Sequence, residues 1–342
     1  MNPALLLLAD SRLPAGGHAH SGGTERAIAS GAVFDVPSLA RFLHGRLHTT
    51  GALTATLTAA AHTHATTTFP PIPQPPITPP PATPATTSTP PPAAAPPTTS
   101  ASDLPPAAPQ SPATNAGPVT SPPSTAARTS TDAGTRADAR PSSNPEPRAA
   151  AEVGQPVSGS PWVLLDAEVD ARTAAPAQRD ASRTQGRLLL RVARRVWPSP
   201  VLEELARAVP SPHHPIALGA VAYAAGATAE EAAMAAAYHA ISGPATAAVR
   251  LLGLDPVAVH GLLADLTPDL TAIATEAHLT VTKARSTAVA DAESSTHPGF
   301  PSRPPDPADP RPWLAALPAY SSPALDLLAE QHARAEVRLF VS

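Results

Sequence analysis

Cysteine is absent from the 342-residue chain, which excludes disulfides, thiolate nucleophiles and cysteine-ligated zinc. That absence fits a reducing compartment. Lysine is reduced to one residue, Lys283, so basic charge comes almost wholly from arginine. Charged residues make up only 15% and the formal net charge is -4, which leaves no electrostatic footprint for DNA or RNA. Aromatic residues, at 3%, offer few stacking platforms for single-stranded nucleic acid. Long apolar runs are missing too. The stretch from Leu5 to Ala9 has no basic region before it, is short, and ends at Asp10 with Arg12 close behind. No stretch reaches the roughly 18 to 20 apolar residues that a membrane helix needs. The expected address is the cytoplasm, with neither nucleic acid nor membrane as partner.

Proline, by contrast, is abundant: 47 residues, more than half of them in one stretch. Three zones follow. Residues 1–65 carry helical patterning, with Asp35 before Val36-Pro37 as a helix cap near a first-turn proline. Leu39, Phe42, Leu43, Leu47, Leu53 and Leu57 then recur at helical spacing. Residues 66–160 consist largely of Pro, Ala, Thr and Ser, with little apolar surface to offset chain entropy. This zone reads as a disordered insert with local polyproline-II character.

Residues 161–342 return to helix. The pattern predicts helices over 163–172, 179–196, 200–208, 215–225, 229–252, 256–266, 268–291 and 324–337. Thr228 and Glu231 form a capping box, while Asp255-Pro256 and Thr267-Pro268 put a capping side chain before a first-turn proline. Gly226 and Gly253 mark helix stops. The alanine-rich run 229–240 reads as a central helix packed on all sides, broken or kinked at Gly243-Pro244. The expected fold is all-α: a single helical-bundle domain of about eight to ten helices, interrupted by the insert.

No enzyme constellation emerges from these residues. The Gly-rich segment from Pro14 to Gly23 has neither the GxxxxGK[ST] nor the GxGxxG spacing, and no strand precedes it. Ser21 sits in no GxSxG elbow. Histidine is the tempting alternative, as His18 with His20, His62 with His64, and His213 with His214. These pairs lack the one-face spacing of a ligand set, so no catalytic, cofactor or metal residue is assigned. A histidine-using nickel- or metal-binding helical protein stands as the competing class. Arg183, Arg187, Arg191 and Arg195 recur at strict four-residue steps, opposite Leu188, Leu189, Val192 and Val196. The stripe is either a solvated face or a contact surface for an acidic partner. The tail 338–342, with Arg338, Leu339, Phe340 and Ser342, presents one cation and two large apolar groups with little chain left to bury them. It reads as a binding element.

Several blocks together resemble the urease accessory F proteins (UreF). They are Leu13-Pro14-Ala15-Gly16-Gly17, Ser21-Gly22-Gly23-Thr24-Glu25, Arg179 with Ser182 and Gly186, and Ala247-Ala248-Val249-Arg250-Leu251. The C-terminal blocks Ser322-Pro323-Ala324-Leu325-Asp326, His332 and Arg338-Leu339-Phe340-Val341-Ser342 match best. His18 and His20 stand where the family has aromatic residues, and Leu254-Asp255-Pro256 replaces a more polar stretch. The resemblance implies a non-catalytic, dimerising, all-helical protein. It would bind the urease D/H-type accessory protein and then the accessory GTPase, and help deliver nickel to apo-urease without holding a cofactor tightly itself. On that basis Pro14, Gly16, Gly17, Ser21, Glu25, Arg250 and the tail join Arg187 and Arg191 as candidate partner-binding residues.

Overall fold

The computed structural model describes residues 2–9, 21–70, 159–294 and 309–335. All of them belong to one compact unit assembled from both sides of residues 77–151. Most of the Pro-rich stretch, including its expected disorder, lies outside the described residues. Among the described residues every regular element is helical, in agreement with the all-α expectation.

The chain opens with α1 (Ala4–Ala9) and α2 (Thr24–Ala29), followed by α3 (Val36–Arg46). A π-helical turn, Leu47–Gly51, leads from α3 into α4 (Ala52–Thr68). After the insert come α5 (Pro161–Arg172), α6 (Pro176–Val196), α7 (Pro200–Ala208), α8 (His214–Ala224) and α9 (Ala229–Leu252). The chain continues with α10 (Pro256–Asp265), α11 (Thr267–Ser294), the single turn α12 (Arg311–Leu314) and α13 (Pro323–Ala333). The helix α4 therefore runs three residues past the expected boundary at 65, and Tyr223 donates a hydrogen bond to the Pro70 carbonyl beyond its end.

Local signals explain most termini. Asp35 caps α3 through the Ser38 amide at 2.8 Å, and Thr228 with Glu231 closes a reciprocal box at the start of α9. Asp255 accepts from the Val257 amide at 3.0 Å, and α9 stops at Gly253. Thr267 departs from expectation, because α11 already includes it and the chain turns at Leu266 instead. The last helix ends at Ala333 rather than 337.

The core is a layered contact of α4, α8 and α9, with α6 covering α8 and α11 covering α4 and α9. The helix α8 is apolar or small-residue on nearly every face, and a helix with no polar side belongs inside. Ten consecutive residues of α8, Pro215 to Ala224, are buried. The alanine run of α9 is buried along Ala232, Ala233, Ala235, Ala236 and Ala237, as its composition predicts. At the opposite extreme, α10 is mostly apolar but buries only Val259, and Val257 is 78% exposed. No single helix among the described residues is long and apolar enough to cross a membrane. Only α10 and α11 together, across a 43° bend, have the length and composition for it.

Two of the paired histidines, His62 and His64, are buried within α4. His62 Nε2 donates to the Ala227 carbonyl at 2.7 Å, and the buried His64 ring stands edge-on to Trp162, with centroids 4.6 Å apart. Burial pushes the His64 ring down to about 4, and the charge of Arg285 acts the same way. An unfolded chain takes up this proton near the ordinary value of 6.5, so the ring's stabilisation is complete above 6.5 and is lost as pH falls towards 4. Between about pH 7.5 and about pH 5 this one ring should cost the fold about 2 kcal/mol. Urea unfolding at both pH values should show His64→Gln losing correspondingly less stability on acidification than the parent chain. Equal losses in the two proteins would remove His64 as the cause.

Candidate functional site

Pro244 lies inside α9, where a proline has no N–H to offer the carbonyl four residues back. That carbonyl, Ala240, accepts instead from Arg46 Nε at 2.7 Å. The same guanidinium donates through a second nitrogen to the Gly22 carbonyl at 2.8 Å. The helix therefore continues through Pro244 rather than breaking there. Burial lowers Arg46 to about 10, which keeps it cationic at neutral pH. Gly22 has φ of 56°, and a Cβ there would stand 2.9 Å from both Arg46 Cζ and Pro244 Cγ. Only glycine fits that backbone and that space together. Arg46 was not singled out in the sequence, although the carbonyl orphaned by Pro244 predicted that some donor must reach it.

Around this junction opens a cavity of about 690 Å³. Gly22, Gly23, Arg46, His239, Pro244 and Arg250 line one side, with Gln178, Ser182, Leu325 and Asp326 of α6 and α13 facing them. Among the expected partner-binding residues, Glu25 is brought close to α13. Glu25 Oε2 is 3.6 Å from Nδ1 of the fully buried His332. Ser21 is fully buried, so its hydroxyl faces protein rather than solvent. Arg250 is exposed at the rim of the cavity, 229 residues along the chain from Ser21. Pro14, Gly16, Gly17, Arg338, Leu339, Phe340 and Ser342 lie outside the described residues. In α1, Leu5 and Leu8 are buried while Leu6 and Leu7 are 67% and 53% exposed, which puts an apolar pair on the surface. His239 Nε2 donates to the Leu8 carbonyl at 2.9 Å and ties α1 to α9.

The Arg179–Ser182–Gly186 block proves architectural. Arg179 donates to the Thr173 and Ala174 carbonyls at 2.6 and 3.0 Å, satisfying the end of α5. Ser182 Oγ accepts from the His214 amide at 3.1 Å, where α8 begins. A Cβ at Gly186 would stand 2.1 Å from the Pro212 carbonyl oxygen, so any larger residue would push α6 away from the turn before α8. The arginine stripe divides. Arg187, Arg191 and Arg195 are exposed, but Arg183 turns inward. Arg183 donates to Asp166 at 2.9 Å, Asp170 at 2.5 Å and the Ser211 carbonyl at 2.9 Å. Val196, expected on the apolar side, is 49% exposed, and Leu189, Leu190 and Ala193 form the buried face with Gly186.

Asp166, Asp170 and His213 are close enough to resemble a metal site. Protein donors already occupy both carboxylates, while the buried His213 Nδ1 has no hydrogen-bond partner. His213 donates its amide to Asp166 at 2.7 Å and its Nε2 hydrogen to Asp170 at 2.9 Å. Burial pushes the His213 ring down, so it stays neutral near pH 7. Burial alone would raise Asp170, but the His213 hydrogen bond and the Arg183 charge outweigh it and hold the carboxyl low. With a guanidinium between the two carboxylates, the cluster is a hydrogen-bonded ion network that staples α5, α6 and the start of α8.

These features define an all-α protein whose polar clusters join helices, with charged and apolar faces left open at the surface. A family model described as UreF matches residues 148–267. The chain is 32% identical to the urease accessory protein UreF of Mycobacterium sp. over 341 residues, 99% of this chain and 97% of that one. It is 30% identical to the protein of the same name from Mycobacterium marinum over 338 residues, 99% and 97% of the two chains. The Mycolicibacterium vanbaalenii UreF is 32% identical over 264 residues, 77% of this chain and 79% of the relative. The chain belongs to the UreF family of urease accessory proteins.

Replacing Asp166, which is 5% exposed, with Ala should cost about 2 to 3 kcal/mol, because Arg183 and the His213 amide lose a buried acceptor together. Arg187→Ala, on the open side of the same helix, should change stability by less than about 0.5 kcal/mol. Urea unfolding of the two variants checks both. Similar losses would mean that the stripe is not divided as described.

Proposed function

We propose that this chain is a non-catalytic scaffold of urease maturation. It binds the urease D/H-type accessory protein and the accessory GTPase, acts as a homodimer, and promotes nickel insertion into apo-urease, with nickel as cargo rather than resident cofactor. The observation that carries this reading is the meeting of the family blocks from the two chain halves. The Ser21–Glu25 turn, Arg46, Pro244, Arg250 and α13 surround one cavity. Family membership supports the urease setting, since the relatives carry the name urease accessory protein.

Two open surfaces suit macromolecular partners. Arg187, Arg191 and Arg195 present planar cations that pair with carboxylates at an interface. The exposed apolar side of α10, around Val257, is the face we assign to the second copy of the chain.

The test is co-expression with the urease structural and accessory genes, reading urease activity and nickel content. Omitting this chain should leave urease largely nickel-free; fully loaded urease without it would overturn the proposal. Arg187→Glu with Arg191→Glu should keep helical content and unfolding midpoint while weakening capture of the accessory partners and lowering urease activation. Unchanged capture would return the stripe to a solvated face.

A further inference from the structure

We infer that His44, His48 and Asp269 form a surface binding site for a divalent cation of the imidazole-preferring class to which nickel and zinc belong. His44 is in the last turn of α3, His48 is in the π-helical turn that follows, and Asp269 is in the first turn of α11. The two imidazoles are four residues apart, the spacing that puts two ligands on one side of a helix. Their ring centroids are 4.4 Å apart, and His48 Nε2 is 3.8 Å from Asp269 Oδ1. One ligand atom from each of the three lies within 4.8 Å of the others. A tetrahedral ion at about 2.1 Å from each ligand would set them about 3.4 Å apart. Exposed side chains, with His48 at 43% and Asp269 at 38%, can close that difference by small rotations.

Three further observations separate this cluster from the other histidines. His62, His213 and His239 each commit a ring nitrogen to a protein acceptor at 2.7 to 2.9 Å. His48 reaches Asp269 at a distance too long for a hydrogen bond, which leaves its lone pair available. The widened π turn is also the kind of helix irregularity that recurs at functional positions. Finally, no guanidinium bridges these three groups, whereas Arg183 bridges the carboxylates of the Asp166 cluster. Two imidazoles and one carboxylate leave coordination positions open to water or an incoming ligand. Arg41, one turn before His44, lines a hollow that His44 shares, and its charge keeps the affinity moderate. Such a site suits an ion that must leave again.

The inference concerns the isolated chain and stands whether or not the chain matures urease. Isothermal titration of the full chain with Ni²⁺, and separately with Zn²⁺, should reveal one bound equivalent that depends on these residues. Outer-shell partners alone are worth about 10- to 100-fold in metal affinity, so His44→Ala or His48→Ala should weaken that equivalent by at least about tenfold. Asp269→Asn should weaken it too, while His18→Ala with His20→Ala should leave it in place. Co²⁺ absorption gives a second reading: imidazole-bound bands should appear with the parent chain and vanish in the His44→Ala, His48→Ala double variant. Circular dichroism confirms that these surface variants fold. An isotherm and a cobalt spectrum unchanged in the double variant would overturn the site.

Discussion

A proline inside a buried helix leaves a carbonyl without its partner, and in this protein Arg46 resolves that deficit. Its guanidinium donates to Ala240, four residues before Pro244, and to Gly22 in the turn before α2. An unsatisfied carbonyl at this depth would cost about 1 to 3 kcal/mol, so the position of Arg46 is tightly specified. Three consequences follow from one side chain. The long helix α9 runs through its proline, the N-terminal Gly-rich turn is held against it, and the cavity between α6, α9 and α13 keeps its wall. Charge matters less here than reach, because no carboxylate is needed when two carbonyls take the donors.

The other polar cluster, built on Arg183 of α6, follows the same logic. Asp166, Asp170, Arg183 and His213 satisfy each other and fix the turn into α8, the most deeply buried helix. Arg179, Ser182 and Gly186 act with them, through carbonyl, hydroxyl and close backbone approach. The residues of the Arg179–Ser182–Gly186 block are therefore ones that set helix positions.

The histidines show how one side chain is used in three ways. In α4 they are core members, neutral because burial penalises the charged ring. At the head of α8, His213 is one member of an ion network. On the π turn, His48 remains open to solvent beside His44 and Asp269. Composition alone treats all of these as equal.

Helix positions were legible in the sequence because caps, first-turn prolines and 3.6-residue periodicity act within a few residues of one another. The extents of α7 and α9, the cap at Asp35, the box at Thr228, and the burial of the alanine run were all readable in that way. Resemblance to UreF was legible as well, since its blocks are short and local. What the tertiary structure decided depends on partners far apart in sequence. Arg46 meets Ala240 across 194 residues, Arg183 leaves its own stripe for Asp166, and Asp269 comes to His48 from another helix. Periodicity gave Arg183, Arg187, Arg191 and Arg195 one face, yet packing against α5 turned Arg183 inward, half-buried, and left the other three in water. A spacing rule reports which side of a helix a residue occupies, but only the packing of other helices decides whether that side meets water, a carboxylate or a second imidazole.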